Sequence, residues 1–342
     1  MSQDNRVFDI VPGRAIGEIL SESRTETLDV VRGAYAVHDA GRTVCPDSYF
    51  LRFPNDALSR IIALPAAILD GDVGAGVKWI SSFPRNIEHG VARASAVLIL
   101  NDLDDGYPIA CLEGAEISAA RTAASVALVK QVLDRTSGPA RSMSFIGAGV
   151  IACTILEYLL GADCLAEAVQ VYDVDSGSRD HLVAFARRKG VCAQALDHLD
   201  DALDADVFVT ATTVSVPYIH TALRPGQVAF NVSLRDFDPH VVLGSDNYLD
   251  DVDHCLKQNT SPHLAEQVSG GRTFVTGVIP ELLDGRKAFW GERSSIVSPF
   301  GLGVLDLALG KFVLDRAKES GRTVPIDGFF GGGQRWSTEQ AQ

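Results

Sequence analysis

The chain has 342 residues, of which 46% are hydrophobic and 22% are charged, as in an ordinary globular protein. This length exceeds what one hydrophobic core usually serves, so we expect two domains. The formal net charge of -14 argues against nucleic acid or anionic membranes as partners, because both need a basic surface to recruit them.

Cysteine and histidine usage indicates neither disulfides nor a metal site. The 6 cysteines are dispersed without a C-x-x-C pair, and the 8 histidines lack the spacing of metal ligands. Residues 1–9 show no secretory signal pattern, and the most apolar run, 61–69, contains Pro65 and is too short to span a bilayer. We therefore expect reduced thiols, a cytoplasmic location, no membrane segment and no metal.

The first third of the chain combines amphipathic helices with closely spaced strands. Apolar residues recur at helical spacing over 14–40. Four β-like runs broken by Pro and Gly follow, at residues 48–53, 59–69, 76–82 and 94–101. Because no helix separates them, these runs predict an antiparallel or mixed sheet, with 101–108 as a hairpin loop. The alanine-rich stretch 113–132 predicts a long helix that leads to the next domain.

Four cations, Arg52, Arg60, Lys78 and Arg121, lie near the edges of these elements. Lys78 interrupts an apolar strand, and Arg121 lies among small residues of the predicted helix. Burying such a cation is costly unless an anion meets it. Each could instead extend to water or pair with a nearby acid, since the chain has 44 Asp and Glu residues. We favour a carboxylate-binding cluster built on Lys78 and Arg121, with Arg52 and Arg60 as further members.

A glycine-rich turn at residues 144–152 predicts a dinucleotide site. It reads G-x-G-x-x-A, in which Gly147 allows a tight turn and Gly149 lets the backbone approach a pyrophosphate. The N–H groups that start the next helix, at Val150 and Ile151, would receive the phosphates. The alternative is a turn whose small residues only bring a helix close to a sheet. The apolar run before the turn and the helix pattern after it favour the dinucleotide site.

An acid and two threonines extend the predicted cofactor site. Asp173 ends the next strand 26 residues after Gly147, where a carboxylate accepts the ribose hydroxyls and favours NAD over NADP. Arg179 nearby would suit the 2′-phosphate of NADP. Thr210 and Thr212 follow a later strand, at the edge of the sheet where ligands bind. Their hydroxyls would either meet the ribose or nicotinamide or satisfy their own loop.

The alternation of strands and helices between residues 141 and 299 is typical of a doubly wound parallel sheet. Further strands are predicted at 191–196, 206–211 and 227–232. A strong helix pattern over 302–318 then returns to the first domain. The predicted fold is α/β, with a Rossmann domain containing the doubly wound parallel sheet over 121–301. A discontinuous α+β domain for substrate binding and dimerisation covers 1–120 and 302–342.

Asp236 is the predicted acid–base residue. It follows the strand at 227–232 and should therefore project near the nicotinamide end of the cofactor. A carboxylate there can take and return a proton. The alternatives are a helix cap or a partner for Arg235. We also place Ser233 among the cofactor-binding residues and Arg235 among the substrate-binding residues.

With these residues in hand, the chain resembles the ornithine cyclodeaminase and mu-crystallin family over nearly its full length. The stretches that carry the resemblance are 76–84 with Asn86, 93–96, 118–124, 147–152 and 231–236. Their details are similar to one branch, the dehydrogenases that complete 2,3-diaminopropionate synthesis for siderophores, such as the staphyloferrin B type, and for peptide antibiotics. Cyclodeaminases commonly show Gly-Ala-Asp before the loop of the catalytic acid, whereas Ser233-Leu234-Arg235 precedes Asp236 here. This departure argues against simple cyclisation of ornithine or lysine.

The resemblance implies roles for several residues. In that family the residues matching Lys78 and Arg121 bind the substrate carboxylate, the aspartate matching Asp236 assists proton transfer, and the enzyme is usually a homodimer. The branch reaction oxidises N-(1-amino-1-carboxy-2-ethyl)glutamate with NAD and hydrolyses the imine to 2-oxoglutarate and 2,3-diaminopropionate. This small amino-acid-derived substrate carries three carboxylates, which suits several cations in one pocket, Arg235 among them.

Other functions remain open from the sequence. Within enzymes they are an amino-acid cyclodeaminase, an alanine dehydrogenase and a ketimine reductase, which share a hydride step at an amine-bearing carbon. Outside enzymes, a mu-crystallin-like protein would hold a cofactor and a small ligand with little turnover. Loss of the cation pair or of the acid would favour that last function, and this chain retains Lys78, Arg121 and Asp236.

Overall fold

A computed structural model describes residues 7–71 and 74–330 of the chain. Its strands are β1 (Phe8–Val11), β2 (Thr43–Val44), β3 (Tyr49–Phe53), β4 (Asp56–Ile68), β5 (Gly74–Ser82), β6 (Ala94–Asn101), β7 (Pro108–Glu113), β8 (Ser142–Ile146), β9 (Ala168–Tyr172), β10 (Ala193–Ala195), β11 (Val207–Thr210), β12 (Val228–Asn231), β13 (Asp246–Leu249), β14 (Val275–Val278), β15 (Ser295–Ser298) and β16 (Val324–Ile326).

The helices are α1 (Gly13–Glu22), α2 (Arg24–Asp39), α3 (Gly114–Ser137), α4 (Val150–Gly161), α5 (Ser176–Arg188), α6 (Leu199–Leu203), α7 (Pro239–Leu243), α8 (Val252–Cys255), α9 (Ser261–Ser269), α10 (Ile279–Leu283) and α11 (Gly303–Glu319), with a short 3₁₀ helix at Pro84–His89. The helices predicted over 14–40, 113–132 and 302–318 therefore form, as α1 and α2, α3 and α11.

The described chain divides into two compact units. The first contains residues 7–23, 40–71, 74–118 and 303–330, and the second contains 24–39 and 119–302. The main difference from the predicted domain bounds is α2, which belongs to the second unit although 1–120 was expected to form one domain. The physical reason is that α2 packs its apolar face, including the fully buried Tyr35, on α4 and α10 of the second unit.

The first unit is built on a mixed sheet with the strand order β16-β1-β7-β6-β5-β4-β2, and β3 pairs with β4. Only the β1–β7 pairing is parallel among those of its described strands. The predicted hairpin at 101–108 joins β6 and β7. In β6, Ala96 and Leu98 are buried while Val97 between them is exposed, because neighbouring side chains point to opposite faces. Helix α11 packs on the buried face of β4, β5 and β6.

The second unit is built on a parallel sheet with the order β10-β9-β8-β11-β12-β15-β13-β14. Strands β11, β12 and β15 are buried along their whole length, as expected for a parallel sheet with helices on both faces. The strand order reverses between β8 and β11. The carboxyl ends of these two strands therefore border the crevice in which doubly wound sheets bind ligands. The predicted α/β fold class is confirmed.

Three further properties concern chemistry. All six cysteines are free thiols. No helix in the described ranges is long and apolar enough to cross a membrane. Within the same ranges, no group of three or more His, Cys, Asp or Glu side chains is arranged to hold a metal ion.

Candidate active site

The glycine-rich turn joins β8 to α4 at the point where the sheet order reverses. Gly147 has a φ of +94°, and a Cβ there would lie 2.6 Å from the carbonyl oxygen of Ala211, so only glycine fits. Gly149 is the N-cap of α4 and provides no side-chain cap. The N–H groups of Val150 and Ile151 therefore have no acceptor within the helix. They form the kind of helix start that receives a phosphate.

Asp173 is held beside this turn by backbone N–H groups. Its carboxylate accepts from the N–H of Ala148 at 2.7 Å and from that of Asp175 at 2.9 Å. Arg179, which would suit a 2′-phosphate, pairs with Asp197 at 2.6 Å and with Asp180 at 2.9 Å. The carboxylate is thus fixed at the end of β9, while the nearby cation is already matched by two acids.

The two predicted threonines separate into different roles. Thr210 is fully buried at the end of β11, so its hydroxyl is not open to a cofactor. Its carbonyl accepts from the N–H groups of Val232 and Ser233, which makes its role structural. Thr212 donates its hydroxyl to Asp236 at 2.8 Å. The hydroxyl of Thr212 therefore has a partner in the protein, whereas the buried hydroxyl of Thr210 makes no hydrogen bond within the described residues.

Asp236 is fully buried and each of its carboxylate oxygens accepts a hydroxyl hydrogen bond. Oδ1 accepts from Thr212 at 2.8 Å, and Oδ2 accepts from Ser233 at 2.6 Å. A buried carboxylate needs such donors, because an unsatisfied charge away from water is costly. Ser233, which was predicted to contact the cofactor, donates its hydroxyl to the acid. The three side chains form one hydrogen-bonded cluster at the carboxyl end of the parallel sheet.

The loop that carries Asp236 is tightly held. Leu234 has a φ of 76°, a left-handed conformation that is rare for a residue with a branched side chain. Its N–H donates to Asn231 Oδ1 at 3.1 Å, and its carbonyl accepts from the N–H of Ser261 at 2.6 Å. This local strain, stabilised by contacts on both sides, is common at functional sites.

One of the alternative roles for Asp236, that of a helix cap, is filled by another residue. The cap of α7 is Asp238, whose side chain accepts from the N–H of His240. Arg235 donates to the carbonyl oxygen of Gln258, at 2.7 Å from one terminal nitrogen. Thr212 and Ser233 orient the carboxylate of Asp236, and Arg235 donates to a loop carbonyl.

Tyr218 is a neighbour of this cluster that the sequence did not reveal. Its hydroxyl is buried and makes no hydrogen bond of normal geometry. Burial, followed by the negative charge of Asp236, raises the pKa of Tyr218 above its ordinary value. The phenol therefore stays protonated beside the acid. A tyrosine in a loop carries no sequence pattern that would predict this contact, because the fold decides which residues lie beside it.

Lys78 has a buried anionic partner in the first unit. Its ammonium group donates to Asp306 Oδ2 at 2.6 Å and to Ser118 Oγ at 3.1 Å, and both charged side chains are almost completely buried. Asp306 was not predicted. A signal was present, since Asp306 lies on the apolar stripe of α11 between Leu302 and Leu309, where a charge implies a buried partner.

Arg121 lies in the second unit beside another unpredicted acid. Its guanidinium packs directly on Gly301, where a Cβ would come within 2.1 Å of a terminal nitrogen. The N–H of Gly301 donates to Asp250 Oδ2 at 2.5 Å. Burial raises the pKa of Asp250 to about 6, against the opposing effects of its backbone hydrogen bonds and the charge of Arg121.

Arg52 and Arg60 lie directly opposite each other on β3 and β4. The guanidinium of Arg52 lies 5.1 Å from the ring centre of Phe50. Arg60 is half-buried, and burial, together with the charge of Arg52, lowers its pKa. The fold thus brings these two predicted substrate-binding cations together.

Comparison with known proteins gives a consistent result. Residues 15–234 match the family model described as the ornithine cyclodeaminase/mu-crystallin family. The chain is 27% identical over 312 residues to the N-((2S)-2-amino-2-carboxyethyl)-L-glutamate dehydrogenase of Staphylococcus aureus, which covers 85% of this chain and 90% of that protein. It is 25% identical over 306 residues to the alanine dehydrogenase of Archaeoglobus fulgidus, with 86% and 91% covered.

The fold is also that of a solved structure. The Δ(1)-pyrroline-2-carboxylate reductase of Thermococcus litoralis, determined in complex with NADH and L-proline, aligns with a TM-score of 0.85 at 21% identity. The alignment covers 93% of this chain and 100% of that one. It supports the fold assignment along almost the whole described chain.

Proposed function

Because the chain belongs to the ornithine cyclodeaminase/mu-crystallin family, we propose that it oxidises N-(1-amino-1-carboxy-2-ethyl)glutamate with NAD and hydrolyses the product imine. The chain is an NAD-dependent oxidoreductase that acts on the C–N bond of an amino acid. Its products are 2-oxoglutarate and 2,3-diaminopropionate, for siderophore or peptide-antibiotic biosynthesis. The observation that carries the proposal is the buried Asp236, with one hydroxyl donor on each carboxylate oxygen.

The residues of the second unit fit a dinucleotide. The exposed helix start at Val150 and Ile151 receives the pyrophosphate, and Gly147 and Gly149 allow its close approach. Asp173 accepts the ribose hydroxyls and disfavours a 2′-phosphate. Because Arg179 is matched by acids, it does not reverse that preference. NAD held by these residues would supply the acceptor for a hydride from the glutamyl α-carbon of the substrate.

Asp236 handles the protons of the reaction. As the α-carbon loses its hydride, the amine nitrogen loses a proton to the carboxylate and an imine forms. Asp236 then helps a water molecule add to the imine carbon, and cleavage of the C–N bond returns the proton to the departing amine. The hydroxyls of Thr212 and Ser233 keep the carboxylate oriented through both steps. Lys78 and Arg121 bind substrate carboxylates, and Asp306 fixes the position of Lys78.

The protein acts as a homodimer in this proposal. Tyr49, Trp79 and Val97 follow one cross-strand row on the outer face of the first unit's sheet, and all three are exposed. Exposed apolar rows of this kind mark interaction surfaces. A second copy of the chain covers the row. Light scattering of Trp79→Asp should show a monomer, and an unchanged mass would place any interface elsewhere.

Absorbance of the reduced cofactor tests the proposed reaction. Purified protein with NAD is given the tricarboxylate substrate, L-alanine, L-ornithine, L-lysine and L-proline in parallel. The largest kcat/KM is expected with the tricarboxylate. A larger value with alanine or ornithine would favour the corresponding dehydrogenase or cyclodeaminase, and no reduction with any compound would contradict an enzymatic role on these substrates.

A further inference from the structure

A row of cations crosses the inner face of the first unit's sheet. Arg52 on β3 lies opposite Arg60 on β4, and Arg60 lies opposite Ser82 on β5. Directly opposite residues in antiparallel strands point to the same face with Cβ atoms about 5 Å apart. Arg93, just before β6, donates from its guanidinium to the Ser82 hydroxyl at 2.8 Å. Three guanidinium groups therefore converge around one row of the sheet.

The row lacks a neutralising acid at two of its three cations. Within the described residues, the charged group that acts on Arg60 is Arg52 and the one that acts on Arg93 is Arg60, with no carboxylate acting on either. Burial, followed by the charge of a neighbouring arginine, lowers the pKa of each: Arg52 acts on Arg60, and Arg60 acts on Arg93. The acid at the nearby β3–β4 turn, Asp56, accepts from the N–H groups of Leu58 and Ser59.

Such an arrangement is unfavourable without an anion. Like charges directly opposite each other destabilise a sheet, and partial burial removes the water that would screen them. The chain has an excess of acids, with 44 against 30 basic residues, so acids are available elsewhere on its surface. This part of the sheet instead holds the guanidinium groups of Arg52, Arg60 and Arg93 close together. A bound anion would relieve their repulsion and accept several charge-assisted hydrogen bonds.

The row lies on the same sheet face as Lys78. Side chains alternate along β5, so Lys78, Ile80 and Ser82 point to one side. Ser82 is four residues from Lys78, about 13 Å along the strand at about 3.3 Å per residue. The long side chains of Arg60 and Arg93 shorten that gap. A ligand held at one carboxylate by Lys78 can therefore offer a second carboxylate to the row.

We propose that Arg60 and Arg93, opposite Arg52, form a second carboxylate subsite that binds the side-chain carboxylate of the glutamyl half of the substrate. The inference rests on the proposed function for the identity of that ligand. The subsite selects a substrate with a distal carboxylate over simple amino acids. Arg93 thereby joins the substrate-binding residues, where the sequence placed only Arg52 and Arg60 of this row.

Calorimetric binding to the NADH-loaded enzyme tests the subsite. The probes are 2-oxoglutarate and 2-oxopentanoate, which share five carbons and differ by the distal carboxylate. The wild type should bind 2-oxoglutarate more tightly. Arg60→Gln and Arg93→Gln should each weaken 2-oxoglutarate binding by about tenfold or more, the scale of one lost hydrogen bond to a charged group, and leave 2-oxopentanoate unchanged. Arg85→Gln, which removes an exposed arginine eight residues before Arg93, is the matched control.

Two further measurements separate loss of the subsite from loss of the fold. Because Arg93 also bonds Ser82, melting temperatures are recorded, and Arg93→Lys, which keeps the charge, should retain part of the preference for 2-oxoglutarate. A wild type without that preference, or a preference that survives in both Gln variants, overturns the subsite. Failure of the proposed function is a separate result, because it would appear as absent turnover of the tricarboxylate while the binding difference between the two probes remained.

Discussion

Two groups of cations lie on one face of the first unit's sheet, and they differ in what neutralises them. Lys78 has a built-in counter-ion, the fully buried Asp306, at 2.6 Å. Arg60 and Arg93, further along the same face, have other arginines as their charged neighbours. The acid beside Lys78 matches its charge within the fold and fixes the position of its ammonium group. A cation held beside like charges has an unmet demand for an anion, which a ligand can satisfy.

The largest effect on stability is expected at Asp306. Asp306→Asn should lower the free energy of unfolding by about 3–5 kcal/mol, because it leaves the buried Lys78 ammonium without its counter-ion. Urea denaturation followed by circular dichroism measures this loss. Asp315→Asn is the control, since it removes an acid from a partly exposed pair with Lys311 on the same helix. Equal losses in the two variants would show that the buried pair contributes no more to the free energy of unfolding than the partly exposed pair does.

Asp236 is a buried acid whose carboxylate accepts hydrogen bonds from two uncharged hydroxyl groups. Asp236→Asn preserves size but cannot take a proton, so single-turnover hydride transfer should slow by about 100-fold or more. NAD and substrate binding should stay almost normal. Arg235→Ala tests the competing role, in which Asp236 only orders its neighbour. An Asn variant that keeps most of the rate, or an Arg235→Ala variant with the same loss, would remove Asp236 from the chemistry.

Asp250 is a further buried acid, and its titration makes the stability of the protein depend on pH. Its pKa of about 6 in the folded protein lies above the ordinary value of 3.8, so the folded state holds the proton more tightly than the unfolded chain. The stabilisation is therefore present at low pH and is lost as the pH rises through about 6.

Replacing Asp250 removes that titration. Between about pH 4 and about pH 7, the stability of the wild type relative to Asp250→Asn should fall by about 2 kcal/mol. Thermal unfolding of both proteins across this range gives the difference. A constant difference, or one that grows in favour of the wild type, would show that burial does not disfavour the Asp250 charge.

Arg60 should give the smallest effect on stability. Arg60→Gln relieves a like-charge contact with Arg52, so the free energy of unfolding should change by less than about 1 kcal/mol, toward greater stability. Urea denaturation in buffer without polycarboxylates is the measurement. A loss comparable to that of Asp306→Asn would mean that Arg60 is as firmly paired as Lys78.

The fold was largely predictable because burial leaves periodic signals. Residues 94–101 alternate and form β6 as predicted, and the glycine turn at 147–149 lies between a strand and a helix. The last strands of the parallel sheet, such as β14 (Val275–Val278), were not predicted. Such a short strand has no alternation of its own and is defined by its neighbours in the sheet.

Side-chain partners were less predictable than elements. Thr212 and Ser233 were placed among the cofactor-binding residues, and their hydrogen bonds to Asp236 were not predicted. Thr212 lies 24 residues before Asp236 and Ser233 lies three residues before it. No spacing rule predicts either contact, because the loops that carry these residues have irregular paths. Asp306 is the contrasting case, where an acid on an apolar helix stripe does indicate a buried cation. Charge on a periodic element is therefore informative, while polar residues in loops are not.

Product analysis tests the central claim most directly. The protein is incubated with NAD and N-(1-amino-1-carboxy-2-ethyl)glutamate, and mass spectrometry quantifies the products alongside the reduced cofactor. The proposed reaction predicts equal amounts of NADH, 2-oxoglutarate and 2,3-diaminopropionate. Unchanged substrate in the presence of an enzyme that reduces NAD with L-alanine or L-ornithine would contradict it.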